Sequence, residues 1–137
     1  IKAVSRKDGK IVTQKLIETA GKPALLKMGT DKIPVRANGR DVAYVSVTVT
    51  DNNGNPVPHA NNLVQFSTEG DAAVIATDNG NPTSHHDFQA SACKAFHGKC
   101  VAIVRAGKTA GPLRVKAKAE GIPEASLTID WLESIKE

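Results

Sequence analysis

Val42-Ala43-Tyr44-Val45-Ser46-Val47-Thr48-Val49-Thr50, running into Asp51-Asn52-Asn53-Gly54-Asn55-Pro56, is the stretch that decides the fold. In an extended chain Ala43, Val45, Val47 and Val49 share one side, and Tyr44, Ser46, Thr48 and Thr50 the other. This period of two, with β-branched residues on both faces, predicts a half-buried strand over 42–50. The Asn/Gly/Pro cluster that follows is turn chemistry, because Asx side chains bond nearby backbone and Gly accepts positive φ.

The same alternation repeats in both directions. Towards the N-terminus, Asn38-Gly39 marks a turn, and Lys32–Arg36 carries Pro34, which confines it to a sheet edge or bulge. Ala24–Met28 is a short apolar run behind the Gly21-Lys22-Pro23 break. Ile1–Ser5 and Ile11–Thr19 flank Lys7-Asp8-Gly9-Lys10, whose Asp-Gly pair suits a tight hairpin turn. Towards the C-terminus, strands are predicted at Leu63–Thr68, Ala72–Thr77, Lys99–Arg105, Pro112–Glu120 and Ala125–Trp131. The stretch Asp78 to Cys93 has no clean period and reads as the one long loop, shaped by Asn79-Gly80 and Asn81-Pro82 and continued to Gly98. Leu132–Glu137 reads as a polar tail or one helical turn. The expected core is Val45, Val47, Phe66, Val104, Val115, Leu127 and Ile129. The fold class is therefore all-β, an immunoglobulin-like antiparallel β-sandwich of seven to nine strands.

The 137 residues suit one domain, and a hydrophobic share of 40% is enough for one core. No apolar run approaches the ~18 residues of a membrane helix, so no membrane partner is expected. The net charge is +4, carried as +7 over residues 1–40, −5 over 41–98 and +2 over 99–137. The basic part is thus an N-terminal arm, and with only 4% aromatic residues the chain lacks the stacking groups of a nucleic-acid binder. The first residue is Ile rather than Met, so a piece of a longer protein is expected.

Catalytic and metal chemistry find little support. His85 and His86 are adjacent and point opposite ways in an extended segment, while His59 and His97 lie elsewhere, so no three ligands converge. Asp51-Asn52-Asn53-Gly54-Asn55 begins like a calcium loop, but its twelfth position is Asn62 rather than Glu. The acids sit in turns or on outward faces, where nothing raises a pKa for general acid work. No catalytic residue, metal ligand or cofactor site is assigned. Cys93 and Cys100 make no metal framework and no CxxC; one local disulfide and two free thiols both stay open. Phe88 and Phe96 are apolar groups in a polar loop, which suggests an interface there with Asp78 and Asn79.

Several segments read together carry a resemblance. They are Thr19-Ala20-Gly21-Lys22-Pro23-Ala24, the run Arg36 to Asp51, Gly54-Asn55-Pro56-Val57-Pro58, Asp78-Asn79-Gly80-Asn81-Pro82, and Lys94-Ala95-Phe96-His97-Gly98-Lys99-Cys100. Over residues 19–131 the chain resembles the C-terminal immunoglobulin-like domain of bacterial β-galactosidases of glycoside hydrolase family 2. That domain is similar to the bacterial Ig-like domains of invasin-type adhesins. The resemblance implies a sandwich at 19–131, with 1–18 as the closing hairpin of a preceding β-domain or an N-terminal arm, and 132–137 as a tail. It implies a non-catalytic accessory module whose partners are other domains of the same glycosidase, with homo-oligomers arising through that parent. It implies a periplasmic or extracellular location, where thiols can oxidise. Two other functions are weighed. A carbohydrate-binding module would use exposed aromatics, with Tyr44 and Trp131 as candidates, and an adhesin stalk repeat would need tandem copies.

Overall fold

The computed structural model describes residues 1–31 and 34–133. Among them there is no helix, and there are eleven strands. They are β1 (Lys2–Lys7), β2 (Lys10–Leu16), β3 (Leu25–Thr30), β4 (Val35–Ala37), β5 (Val42–Thr50), β6 (Leu63–Glu69), β7 (Ala72–Asp78), β8 (Ala92–Lys94), β9 (Lys99–Ala106), β10 (Pro112–Ala119) and β11 (Ile122–Glu133). Nine of them form the sandwich, as a five-stranded sheet β4-β11-β10-β6-β8 facing a four-stranded sheet β3-β5-β9-β7. β1 and β2 form a separate hairpin. All pairings are antiparallel except β4 with β11. β4 is an edge strand, and Pro34 stands just outside it, where its missing N–H leaves no gap in the ladder.

The inward row of β5, Ala43, Val45, Val47 and Val49, is wholly removed from water. One half of the core packs Val47 and Val49 with Val64, Phe66, Cys93, Cys100 and Ala117. The other half packs Val45 with Val35, Val104, Leu113, Val115 and Ile129. Each fully buried aliphatic side chain contributes about 1.5–3 kcal/mol. Leu127, expected in the core, is only half-buried. It sits opposite Val115, but β4 pairs with Trp131–Glu133 and leaves this part of β11 at the sheet edge.

The long loop expected over Asp78–Gly98 is shorter in the structure. Asp78 ends β7, and Ala92–Lys94 forms β8 on the edge of β6, opposite Leu63, Val64 and Gln65. Three residues of Ala-Cys-Lys carry no readable alternation, and only the exposed edge of β6 makes them a strand. Phe96 and Lys99 then exchange backbone hydrogen bonds of 2.9 and 3.0 Å around His97-Gly98. Both turn residues have positive φ, 49° and 74°, as do Asp8 and Gly9 between β1 and β2. Two left-handed residues match the twist of a tight hairpin.

Gly98 is fixed by more than its φ. Its N–H donates to the Ala60 carbonyl, and its own carbonyl accepts from the Val49 N–H. A Cβ there would lie 2.4 Å from the Val57 carbonyl oxygen. Gly98→Ala is therefore expected to destabilise by at least about 2 kcal/mol, since strain and backbone clash add. Phe66→Ala, in a ring site only 4% exposed, is expected to cost about 3–5 kcal/mol. Chemical denaturation checks both; a loss under about 1 kcal/mol for Phe66→Ala would place the ring outside the core.

Candidate functional site

The described acids with displaced titration are all pulled below the ordinary carboxylate range. Asp51 is held down first by the Gly21 N–H, at 2.8 Å, and then by Asn55 and Asn53. Glu69 is held down by Lys116 and more weakly by Arg114. Asp71 is held down by donors from Thr109 and Lys108. General acid catalysis needs the opposite displacement. Two of these carboxylates shape turns: Asp51 closes the 51–55 turn that resembles a calcium loop, and Asp71 closes the 106–109 turn, whereas Glu69 pairs with Lys116 from the end of β6. Among the described residues no group of three or more His, Cys, Asp or Glu could hold a metal ion.

The loop 79–91 is organised by its own polar side chains. Asp78 accepts from the Asn79 and Gly80 N–H groups. Asn79 donates its Nδ2 to the Lys94 carbonyl at 2.8 Å, tying the loop to β8. Thr77, fully buried on β7, donates its hydroxyl to the Ala90 carbonyl. Its single proton is then used, so the 2.9 Å contact with His86 Nε2 makes Thr77 the acceptor and His86 the donor. Pinned this way, His86 meets the Phe88 ring edge-on with centroids 6.3 Å apart. Phe88 is left 58% exposed at the loop surface.

The structure treats the other sequence candidates differently. Phe96 is half-buried at the tight turn, its ring 4.2 Å from the His97 ring. Asp78 and Asn79 use their side chains on the loop's own framework. Cys93 and Cys100 are buried, unbridged thiols. Tyr44 is exposed on the outer face of the four-stranded sheet, opposite Ile103. Trp131 lies in β11, and its side chain is outside the described parts.

The larger apolar surface is one the loop-centred reading passed over. Every residue of β1 and β2 is exposed. The pairs Lys2↔Leu16, Val4↔Gln14 and Arg6↔Ile11 set Val4, Ile11 and Leu16 on one face. Val12 follows at the register shift. Ile11, Val12 and Leu16 are 53%, 65% and 59% exposed. A two-stranded hairpin bearing such residues is marginal in water by itself. A crevice of about 650 Å³ separates it from the sandwich, lined by Leu16, Ile17, Ala20, Pro56 and Pro58 among others. The sequence signal was present in Ile11-Val12 beside the Asp-Gly turn.

Residues 26–128 of this sandwich match Glycoside hydrolase family 2 C-terminal domain 5. The chain belongs to that family. It is 39% identical over 129 residues to a β-galactosidase of Bacteroides ovatus, covering 94% of this chain and 15% of that protein. It is 31% identical over 126 residues to a β-galactosidase of Thermoanaerobacter pseudethanolicus, covering 92% and 15%. The chain thus spans about 15% of the length of these relatives. A glycosyl hydrolase family 2 member from Bacteroides cellulosilyticus superposes with a TM-score of 0.86 at 36% identity, over 96% of this chain and 17% of that one. The D00-D0 domain of intimin shares the fold alone, with a TM-score of 0.59 at 19% identity over 84% of this chain and 50% of that one.

The carboxylates of Asp51, Glu69 and Asp71 make the stability of this family 2 domain pH-dependent. Their folded pKa values lie below the unfolded values of about 3.9–4.3. The unfolded chain therefore binds protons first as pH falls. Their contribution is complete above the unfolded range and is lost as pH drops through the lower folded values. The melting temperature is expected to hold between about pH 7 and 5 and to fall below about pH 4. Asp51→Asn, which sets an amide among donors, is expected to lower the melting temperature and flatten that decline. Thermal unfolding across this pH series checks both.

Proposed function

We propose that this chain is a non-catalytic accessory domain at the C-terminal end of a glycoside hydrolase that cleaves β-galactosides or related glycosides. The single observation that carries the reading is the match to the family 2 C-terminal domain, within relatives named β-galactosidase that are several times longer. The hairpin supplies the attachment. Its apolar face of Val4, Ile11 and Leu16 is exposed here and serves as a docking surface for the rest of that enzyme. Asp51 stiffens the joint, because its carboxylate bonds both Gly21 in the linker and the 51–55 turn of the sandwich. Export to the periplasm or the exterior belongs to the same proposal.

The test separates chemistry from attachment. The purified chain is expected to release no nitrophenol from a nitrophenyl β-galactoside, whereas the complete enzyme does; hydrolysis that survives repurification of the chain would overturn the accessory role. The chain is also expected to bind the remainder of the enzyme. A variant carrying Val4→Ser, Ile11→Ser and Leu16→Ser should weaken that binding at least about tenfold while the sandwich melts unchanged. Equal binding by the variant would remove the hairpin from the interface. Phe88→Ala distinguishes the loop: binding lost with that variant would move the interface to residues 79–91.

A further inference from the structure

We propose that Cys93 and Cys100 form a redox site, an inter-sheet dithiol that closes to a disulfide by exchange with a low-molecular-weight disulfide. Cys93 is the attacking sulfur and Cys100 the resolving one. The geometry differs from that of a local loop bridge. Cys93 points inward from β8 opposite Val64, in the five-stranded sheet. Cys100 points inward from β9 opposite Val47, in the four-stranded sheet. The tight turn at His97-Gly98 carries the chain from one sheet to the other, so that both inward positions face the same core. Both are buried in one core cluster, and each thiol's titration is displaced chiefly by the other.

The surroundings give the two sulfurs different roles. The reduced Cys93 thiol donates to the Asp78 carbonyl at 3.7 Å. A thiolate at Cys93 would gain the Cys100 S–H as donor; that pairing lowers its pKa, against burial and the nearby Asp78 charge. The same pairing, together with burial, pushes the Cys100 thiol up. Purely apolar burial would raise both. Access comes through β8, a three-residue strand at the sheet edge that pairs only with β6. Such edges open locally without global unfolding.

The exchange balances without further reagents. Cys93 releases its proton to solvent, and its thiolate attacks one sulfur of R–S–S–R. The S–S bond of the reagent breaks, RS⁻ leaves, and a mixed disulfide remains on Cys93. Cys100 then loses its proton to solvent and attacks Cys93 Sγ, expelling the second RS⁻. Two protein thiols are oxidised and one external disulfide is reduced to two thiols. The product ties edge strand β8, and the loop that carries Phe88, to β9 in the opposite sheet.

The experiment equilibrates the 137-residue chain, under native conditions, with buffers of reduced and oxidised glutathione. The protein is then unfolded in acid, alkylated and weighed. The expected result is an intramolecular bridge, seen as the loss of two hydrogens and no alkylatable thiol, with a melting temperature several degrees above that of the reduced chain. Because folding and oxidation are linked, the folded chain should also be more oxidised than the chain in denaturant at the same buffer ratio. Cys100→Ala should trap glutathione on Cys93, whereas Cys93→Ala should leave Cys100 unmodified. Two alkylatable thiols in the wild-type chain after native equilibration would overturn the site. So would equal or lower oxidation in the folded state. The wild-type measurements decide the matter even if either variant fails to fold.

Discussion

The inward row of β5 is the constraint on which the structure depends. Ala43, Val45, Val47 and Val49 have no water contact of consequence, and they reach both halves of the core. Burying four such residues requires a second sheet, because one sheet cannot cover its own face. The partners β6, β10 and β11 answer with Val64, Phe66, Val115, Ala117 and Ile129. Side chains this short keep the two sheets close. They also leave the interior almost without polar groups: Thr50, Asp51 and Thr77 are the buried polar residues among those described. Each of the last two is engaged in hydrogen bonding at the margin of the sandwich. A core of this kind gives rigidity and shape, and it leaves specific chemistry to the turns, edges and appended hairpin.

Those margins are organised by a few short-range polar devices. Asp51 gathers backbone N–H groups from residue 21 and from the 53–55 turn, and Asp71 gathers those of Lys108 and Thr109. Gly98 lies where three backbone segments meet too closely for any side chain. Thr77 and His86 pin the loop 79–91 against β7. The connections of the sandwich are held by these hydrogen bonds, and the two cysteines are unbridged. Rigid connections suit the docking role proposed for this domain, since an interface on a fixed support loses less entropy on docking.

The exposed hairpin and the buried thiols show two ways in which local sequence acquires meaning from context. Ile11, Val12 and Leu16 follow a strand pattern indistinguishable from that of core strands, yet they are exposed here. Cys93 and Cys100 are seven positions apart, which by itself suits a small loop. Their placement on opposite sheets turns a local spacing into a connection across the core.

Much of the architecture was legible in the residues. The alternation of β5, β9, β10 and the middle of β11 identified the strands and which side of each faces inward, because the period of two is a local property of extended chain. Asp8-Gly9 and the 51–55 cluster announced their turns, because positive φ and Asx bonding are also local. Tertiary structure decided the rest. β8 is a strand only because the edge of β6 offers it hydrogen bonds. Leu127 is half-buried because β4 stops short of it. Phe88 is presented outward beside His86, which is anchored on Thr77, and the two cysteines share one core cluster because a turn carries one strand across to the other sheet. Those outcomes depend on which segments become neighbours, and single-chain periodicity holds no information about neighbours that are distant along the chain.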